Sequence, residues 1–227
     1  RVERICKRAS ELERSVMMDA EESWIQPIMD ELMLEMMKRF NKEKAVVYNT
    51  FQMYRHDRLA KLKELHARAL EFGFYPGVKL VRGAYMEKER ARALEMGYPS
   101  PIQPDKNATD RDYNAALTFM MEHIDRFSIC AGSHNESSAA LLIQLMEEKK
   151  IPKNDQRVYF SQLLGMSDHI SFNLSHAGYN VAKYVPYGPV KDVLPYLIRR
   201  ADENTSVAGQ TSRELSLLNK ERTRRKK

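Results

Sequence analysis

The sequence has little cysteine and no long apolar run, and each absence excludes a class of protein. Two cysteines among 227 residues, Cys6 and Cys130, cannot form a disulfide framework or a four-cysteine zinc site, so we expect a reducing, intracellular compartment. No apolar run approaches the roughly eighteen residues of a membrane-spanning helix. With 43% hydrophobic residues the chain is too apolar to be disordered, and its length suits one domain.

The positive charge is concentrated at the carboxyl end. The formal net charge is +6, of which residues 219–227 alone carry +5. Because the rest of the chain is nearly neutral, we expect no nucleic-acid partner and at most a peripheral membrane contact through this tail. The alternative is a module that binds nucleic acid or an anionic membrane, and deletion of residues 219–227 would abolish that function.

Six short apolar runs alternate with longer amphipathic segments, which is the pattern of β/α units with parallel strands. The nearly continuous apolar character of the runs predicts strands that are covered on both faces. The predicted strands are 15–19, 45–50, 77–82, 127–133, 157–162 and 179–185. The predicted helices are 1–14, 22–40, 55–72, 86–96, 109–126, 136–149, 167–175 and 189–203.

Two architectures are built from such units, an open doubly wound sheet and a closed barrel of eight units. The sequence contains neither G-x-G-x-x-G after its first strand nor G-x-x-x-x-G-K-[ST], the phosphate-binding signatures of open sheets. If the fold is a barrel, two units are absent, and we expect them upstream of Arg1. The chain also starts inside a predicted helix, so we expect a fragment or a processed form. The proline-rich loop 97–107 is expected to be an insertion on the rim.

Polar residues follow each predicted strand, where ligands bind in parallel β/α folds. A single polar residue at such a place is more often a helix cap or a turn former, and Asp19 and Ser133 could each be only that. Six such ends in succession favour a functional site. The segments concerned are 19–22, 49–52, 82–85, 133–135, 161–162 and 183–184.

The last predicted β/α helix carries a candidate anion site. Tyr196, Arg199, Arg200 and Glu203 are spaced three and four residues apart, so most of them share one helical face. Two adjacent arginines can bind a carboxylate or phosphate bidentately, with the glutamate holding a guanidinium in place. The alternative is a solvated Arg–Glu pair that contributes little. The apolar residues within 194–198 predict that the opposite face of the helix is core.

Two further residues have both a structural and a functional interpretation. Gly83 either lets the backbone approach a ligand closely or simply forms a strand-to-helix turn. His134 lies where backbone N–H groups could bind phosphate, although an isolated histidine is more often structural. The sequence has no H-x-H, H-E-x-x-H or C-x-x-C spacing for a catalytic metal and no G-x-S-x-G elbow for a nucleophilic serine.

The motifs LVRGAY (80–85), DAE (19–21), SHN (133–135), LLGMSD (163–168) and YLIRRADEN (196–204) resemble those of proline dehydrogenase. The resemblance extends over essentially the whole chain and is greatest to the eukaryotic-type, single-function enzymes. It implies an α/β fold, a distorted (β/α)8 TIM-type barrel present here as about six β/α units with the N-terminal strands missing. Residues 1–211 are assigned to that barrel, and 212–227 to an extra helix and basic tail.

The resemblance also implies an activity, the FAD-dependent oxidation of L-proline to Δ1-pyrroline-5-carboxylate with electrons passed to a membrane quinone. Arg199 and Arg200 match the residues that bind the proline carboxylate, and Tyr184 and Tyr196 those that line the pocket. Asp19 matches the family's acidic residue near the substrate, and with the two arginines it forms the predicted catalytic set. The family's additional lysine, which pairs with this acid, lies on a barrel strand that the sequence does not contain.

Nine residues match cofactor-binding positions of the family and are predicted to contact or support FAD. Most lie on a predicted strand or directly after one. Leu163 is an apolar contact, and Glu203 is the carboxylate that braces the arginines. They are Gln52, Lys79, Arg82, Gly83, Ala84, Ser133, His134, Leu163 and Glu203.

One alternative to a proline dehydrogenase is a hydroxyproline dehydrogenase. A more remote alternative is a β/α-barrel enzyme that acts on a phosphorylated substrate, and such an enzyme would purify as a colourless protein. In the family, a tyrosine at the position of Tyr184 crowds the ring carbon opposite the one oxidised, so we expect proline to be preferred over trans-4-hydroxyproline.

The expected location is the matrix side of the mitochondrial inner membrane in a eukaryote, or the cytoplasm, peripheral to the membrane, in a bacterium. The oligomeric state is left open.

Overall fold

A computed structural model describes the backbone of residues 1–206 and 210–225, and the side chains of 1–198, 215–216 and 218–225. Helices and strands alternate along it. The strands are β1 (Val16–Met18), β2 (Val47–Gln52), β3 (Gly77–Val81), β4 (Ser128–Gly132), β5 (Val158–Leu163) and β6 (Val181–Tyr184). The helices are α1 (Val2–Glu11), α2 (Gln26–Phe40), α3 (Arg58–Phe72), α4 (Met86–Met96), α5 (Lys106–Glu122), α6 (Glu136–Glu148), α7 (Asp168–His176), α8 (Val190–Ser206) and α9 (Gln210–Arg225).

The six strands form one sheet in the order of the sequence, β1 to β6. The pairings from β1 to β5 are all parallel, as the alternation of strands and helices predicts. In the register, Thr50 lies opposite Lys79, and Lys79 lies opposite Cys130. Side chains alternate between the faces of a strand, so these three residues point to the same face of the sheet.

The other face of the sheet is apolar and is covered by helices. Val78 and Leu80 of β3 are completely buried in the main hydrophobic cluster, together with Leu117 and Met120 of α5. A second cluster forms where α1 and α2 pack near β2, with Cys6 and Met37 among its buried residues. Burial of these side chains is the main contribution to the stability of the fold.

The face that carries Lys79 is largely polar. It includes Thr50 and Gln52 of β2 and Cys130 of β4, and these three residues are buried although they are not in the apolar clusters. Both faces of β2 are buried, so the prediction that strands are covered on both faces is confirmed for β2. Unlike the opposite face, this face carries polar side chains of β2 and β3, among them Thr50, Gln52 and Lys79.

Helix boundaries differ from the predicted ones where side chains make specific contacts. Helix α5 begins at Lys106 and not at 109, because the Asp105 side chain accepts a hydrogen bond from the backbone N–H of Ala108 at 2.7 Å and caps the helix. Helix α3 begins at Arg58 because Arg55 forms a bridge with Ile102 instead of continuing the helix. The 97–107 loop is therefore attached to the β2–α3 connection.

The chain divides into two compact units. The larger comprises Arg1–Gln162 and His169–Ala182, and the smaller Leu163–Asp168 and Lys183–Lys227. Within the smaller unit, Lys183 donates hydrogen bonds to the Asp168 carboxylate at 2.7 Å and to the Met166 carbonyl at 2.9 Å. The predicted division at 211/212 stays a prediction.

The prediction that one face of the last β/α helix is core was wrong for the side chains that the structure describes. Leu194, Leu197 and Ile198 of α8 are between 47% and 53% exposed. An amphipathic pattern identifies an apolar face of a helix, but it does not specify what covers that face. Separately, within residues 1–206 and 210–225, no helix combines the length and the apolar character needed to cross a membrane.

Candidate active site

The candidate site lies at the carboxyl ends of strands β1 to β4, in the larger unit. Asp19 follows β1, and Lys79 is the third residue of β3. The Lys79 ammonium donates a hydrogen bond to the Asp19 carboxylate. The lysine side chain is 13% exposed and the aspartate side chain 48% exposed, so the pair lies at the edge of the polar face, where a ligand could reach the acid.

Gln52 connects the end of β2 to the segment that follows Asp19. Its side-chain amide donates a hydrogen bond to the Glu21 carbonyl at 2.7 Å, and the glutamine is buried. The backbone N–H of Glu21 donates to the Gln26 side chain at 3.1 Å. The ends of β1 and β2 are thereby held together at the same edge of the sheet.

Arg82, directly after β3, uses three nitrogens within the protein. Its guanidinium donates to the Asp110 carboxylate at 2.6 Å, to the Ser133 hydroxyl at 2.8 Å and to the Ser138 hydroxyl at 3.0 Å. It also lies over the Tyr113 ring, 4.3 Å from the ring centroid. The arginine therefore joins β3, α5 and α6, and the geometry favours a role in positioning Ser133.

The electrostatic environment of Asp110 follows from these contacts. Partial burial raises the pKa of Asp110, but hydrogen bonds from Lys106 and Arg82 more than offset this effect, so the pKa lies below its usual value. The carboxylate therefore stays charged and holds the Arg82 guanidinium at neutral pH.

Ser133 and His134 lie between β4 and α6. The backbone N–H of Ser133 donates to the Ser161 carbonyl at 3.0 Å, and its hydroxyl accepts from the backbone N–H of Asn135 at 3.0 Å. The Asn135 side chain caps α6 by accepting from the N–H of Ser138 at 3.1 Å. The loop thus leads into a helix N-terminus, which attracts negative charge.

The need for glycine at position 83 is explained by the backbone and by Tyr54, without a ligand. The φ of Gly83 is +141°, a conformation that favours glycine, and a Cβ atom at this position would lie 2.4 Å from the Tyr54 ring. Tyr54 is buried, and its backbone N–H donates to the Arg82 carbonyl at 2.7 Å. Gly83 and the exposed Ala84 nevertheless lie beside Arg82 at the strand end. Their assignment to cofactor binding stays a prediction.

The remaining predicted site residues belong to the smaller unit. Leu163 ends β5, Tyr184 ends β6 and is 38% exposed, and the rings of Tyr184 and Tyr196 are 5.6 Å apart. The backbone of α8 includes the positions of the two predicted carboxylate-binding arginines and the bracing glutamate. The side chains of Arg199, Arg200 and Glu203 lie outside the described residues, so their roles stay predictions.

Several residues that organise the site were not predicted from the sequence. Asp110 and Ser138 hold Arg82, and Glu89 accepts hydrogen bonds from Ser23. These pairs are separated by 28 to 66 positions in the sequence, and one sequence does not show which distant polar residues meet. The cap at Asp105 could have been found, because an aspartate just before a helical pattern is a recognised signal.

Comparison with known proteins identifies the family. Residues 1–213 match the family described as proline dehydrogenase. The chain belongs to the proline dehydrogenase family. It is 45% identical over 221 residues to human mitochondrial proline dehydrogenase 1, covering 96% of this chain and 37% of the human protein. It is 42% identical over 229 residues to hydroxyproline dehydrogenase of Xenopus laevis, covering 99% of this chain and 49% of the frog protein.

The chain spans between a third and a half of the length of these relatives. Among solved structures, it is similar to proline utilization A from Bdellovibrio bacteriovorus, inactivated by N-propargylglycine, with a TM-score of 0.80 and 28% identity. The match covers 86% of this chain and 20% of that protein. The comparison confirms the predicted α/β class and its relation to the proline dehydrogenase barrel.

Proposed function

We propose that this chain is part of an enzyme that oxidises L-proline to Δ1-pyrroline-5-carboxylate. The observation that carries the proposal is the family match over residues 1–213. The structure supports it with charged and polar side chains at the carboxyl ends of adjacent strands, among them the Asp19–Lys79 pair. In parallel β/α folds, these ends are where substrates and cofactors bind.

The proposed cofactor is FAD, and the donors at the strand ends fit such a group. Lys79 supplies a positive charge, Gln52 and Ser133 supply polar groups, and Asn135 caps the helix whose N-terminus favours a phosphate. We propose that Gln52, Lys79, Ser133 and His134 hold the cofactor, with the Gly83–Ala84 backbone beside them. A bound flavin would supply the chemistry that this oxidation needs, namely an acceptor for a hydride from the substrate.

The protein must bind and orient a small zwitterion. We propose that Arg199 and Arg200 bind the substrate carboxylate, because paired guanidinium groups bind planar carboxylates bidentately. Arg199→Met or Arg200→Met should then raise the KM for proline severely while FAD remains bound. Unchanged steady-state kinetics in both variants would remove this assignment.

The electron acceptor and location are further parts of the proposal. We propose a membrane quinone as the acceptor, with a peripheral membrane contact at most. The human relative is named as mitochondrial, and a mitochondrial location is proposed for this chain on that basis. Addition of a soluble quinone analogue to the full-length protein with L-proline tests the acceptor, and quinone reduction that requires proline is the expected result.

Hydroxyproline is the second candidate substrate, favoured by the 42% identity to the Xenopus enzyme. Tyr184, whose ring lies beside Tyr196, is the residue that we expect to disfavour the additional hydroxyl group. Measurement of kcat/KM for L-proline and for trans-4-hydroxyproline with the full-length protein shows which of the two is the preferred substrate. A much higher kcat/KM for L-proline is expected, and comparable turnover of trans-4-hydroxyproline would contradict it.

The experiment for the proposed function uses the purified full-length protein. The cofactor released by denaturation is identified by chromatography, and the amino-acid product by its mass, two hydrogens lower than that of proline. FAD and Δ1-pyrroline-5-carboxylate are the expected results. A colourless protein, or one that leaves proline unchanged in the presence of a quinone, would overturn the proposal.

A further inference from the structure

The segment that follows Asp19 lies along one face of helix α4. We use the name docking segment for residues 21–24. Its four successive residues contact α4 or the residue before it: Glu21 with Tyr85, Glu22 with Lys88, Ser23 with Glu89, and Trp24 with Lys88 and Arg92. Positions 85, 88, 89 and 92 are spaced as one helical face requires.

Glu89 is at the centre of this contact. The residue is completely buried, and both of its carboxylate oxygens accept hydrogen bonds from Ser23. The backbone N–H of Ser23 donates at 2.5 Å and its hydroxyl at 2.6 Å. A buried carboxylate is costly unless it is hydrogen-bonded, so the two Ser23 donors fix the distance between the docking segment and α4.

The other contacts of the docking segment each include a side chain that is less buried than Glu89. Lys88, which pairs with Glu22, has a side chain that is 60% exposed, whereas the Glu22 side chain is 10% exposed, so one partner of this pair is in solvent. The Arg92 guanidinium lies 4.4 Å from the centroid of the Trp24 ring, a contact that tolerates lateral movement. The Tyr85 hydroxyl donates to the Glu21 carboxylate at 2.7 Å, but Glu89 is the α4 residue in this set that is completely buried and accepts two hydrogen bonds from the segment.

The docking segment connects the two parts of the candidate site. Asp19 lies four residues before Ser23 and just outside β1, whose last residue is Met18. Helix α4 begins at Met86, three residues after Gly83 of the strand-end motif. A change in the position of the docking segment relative to α4 would therefore change the position of Asp19 relative to β3, where Lys79 lies.

We infer that Glu89 is a positioning residue: it holds the docking segment on α4 and thereby keeps Asp19 beside Lys79. Glu89 acts through Ser23 and the backbone between residues 19 and 23. The consequence for catalysis rests on the proposed function, because Asp19 is the acid expected near the substrate. The structural part, that Glu89 orders residues 19–25, does not depend on it.

The first test measures hydrogen–deuterium exchange of the full-length protein. In Glu89→Ala, which removes both hydrogen bonds from Ser23, the backbone amides of residues 19–25 should exchange about fivefold faster or more, since the loss of even one buried hydrogen bond has an effect of about that size. Glu95→Ala, an exposed glutamate on the same helix, is the control and should leave this exchange unchanged. Equal exchange of residues 19–25 in Glu89→Ala and the wild type would overturn the inference.

The second test separates positioning from a general loss of structure. In Glu89→Ala, the KM for L-proline should rise about tenfold or more while the flavin content per folded protein stays that of the wild type, because small displacements of catalytic groups are costly. A loss of activity in proportion to lost flavin, with an unchanged KM, would contradict positioning. If the wild-type enzyme does not oxidise proline, the proposed function fails, and the exchange experiment still decides the role of Glu89.

Two further variants test the hydrogen bonds between Ser23 and Glu89. Glu89→Gln can accept one hydrogen bond from Ser23 and donate another to its hydroxyl oxygen, so its KM should stay within about threefold of the wild-type value. Impairment as severe as in Glu89→Ala would contradict the hydrogen-bond basis. If Glu89→Ala does not fold, Ser23→Ala removes one of the two bonds and should change exchange and KM in the same direction, by a smaller factor.

Discussion

The Lys79 ammonium and the Asp19 carboxylate form a hydrogen-bonded ion pair between the third residue of β3 and the first residue after β1. The two strands are not neighbours, because β2 lies between them in the sheet. Thr50 of β2 faces Lys79 in the register and donates a hydrogen bond to the Met18 carbonyl at 2.6 Å. The pair therefore spans three strands at the edge where the candidate site lies.

The first prediction concerns the charge of Lys79. Lys79→Met keeps an unbranched side chain of similar length but leaves Asp19 without this cation. We expect kcat/KM for L-proline in the full-length protein to fall about a hundredfold, the size found when one electrostatic contact to a reacting centre is removed. Lys61→Met, which removes an exposed pair with Glu64 on α3, is the control. Similar kinetics for both variants would show that the Asp19–Lys79 pair has no catalytic role.

The second prediction is a pH dependence of stability that arises from Asp110. Its pKa is lowered in the folded protein, so its contribution to stability is complete above the unfolded pKa, near 4, and is lost as pH falls through the folded value. The wild type should exceed Asp110→Asn in free energy of unfolding by a constant amount from pH 7 to about 5. This difference should shrink below about pH 4.

Urea unfolding at several pH values measures this difference. The exposed Asp192→Asn variant is a suitable control because its side chain is on the surface of α8. A difference between wild type and Asp110→Asn that already declines between pH 7 and 5 would mean that the pKa of Asp110 is raised and not lowered.

The third prediction concerns Gly83. In Gly83→Ala, the new Cβ would lie 2.4 Å from the buried Tyr54 ring, so Tyr54 or the backbone must move. We expect a loss of about 2–4 kcal/mol in the free energy of unfolding, from overpacking and from the strain of a positive φ. Gly97→Ala has a φ of +71° and open space around the Cβ, so it should cost only about 1 kcal/mol. Equal losses in the two variants would contradict the contact with Tyr54.

The fourth prediction concerns the reactivity of the cysteines. Burial raises the pKa of the Cys130 thiol to about 11, although Lys79 acts to lower it, and burial also raises the pKa of Cys6. In the native protein at pH 8, peptides that contain Cys6 and Cys130 should therefore show slow alkylation by iodoacetamide, as measured by mass spectrometry. In urea both should react rapidly. Fast native modification of Cys130 would mean that the polar face of the sheet is open to solvent.

Most of the secondary structure could be predicted from the sequence. All six predicted strands overlap the observed ones, and the prediction of 86–96 for α4 is confirmed in its exact bounds. Local periodicity is sufficient here because each element is short and separated by turn residues. The start of α2 was predicted at 22 but lies at Gln26, because a separate hydrogen-bonded turn over 22–26, whose Ser23 contacts Glu89 of α4, precedes the helix.

The arrangement of the site was less predictable. The polar residues at strand ends indicated its location, since parallel strands bring their carboxyl ends to one edge. Which side chains meet there depends on register and on contacts distant in sequence, as for Arg82 with Asp110 and Ser133. Glu89 is one of several charged residues within 86–96, and nothing in the sequence distinguishes it from the others, yet it is completely buried. A single sequence does not show the Ser23 donors that make its burial possible.

The proposed proline oxidation is tested most directly by anaerobic titration of the full-length protein with L-proline. The absorption of an oxidised flavin, at about 450 nm, is recorded before and after each addition. The account predicts that L-proline bleaches this band and that a quinone analogue restores it. A protein that lacks the band, or whose band is unchanged at saturating L-proline, would contradict it.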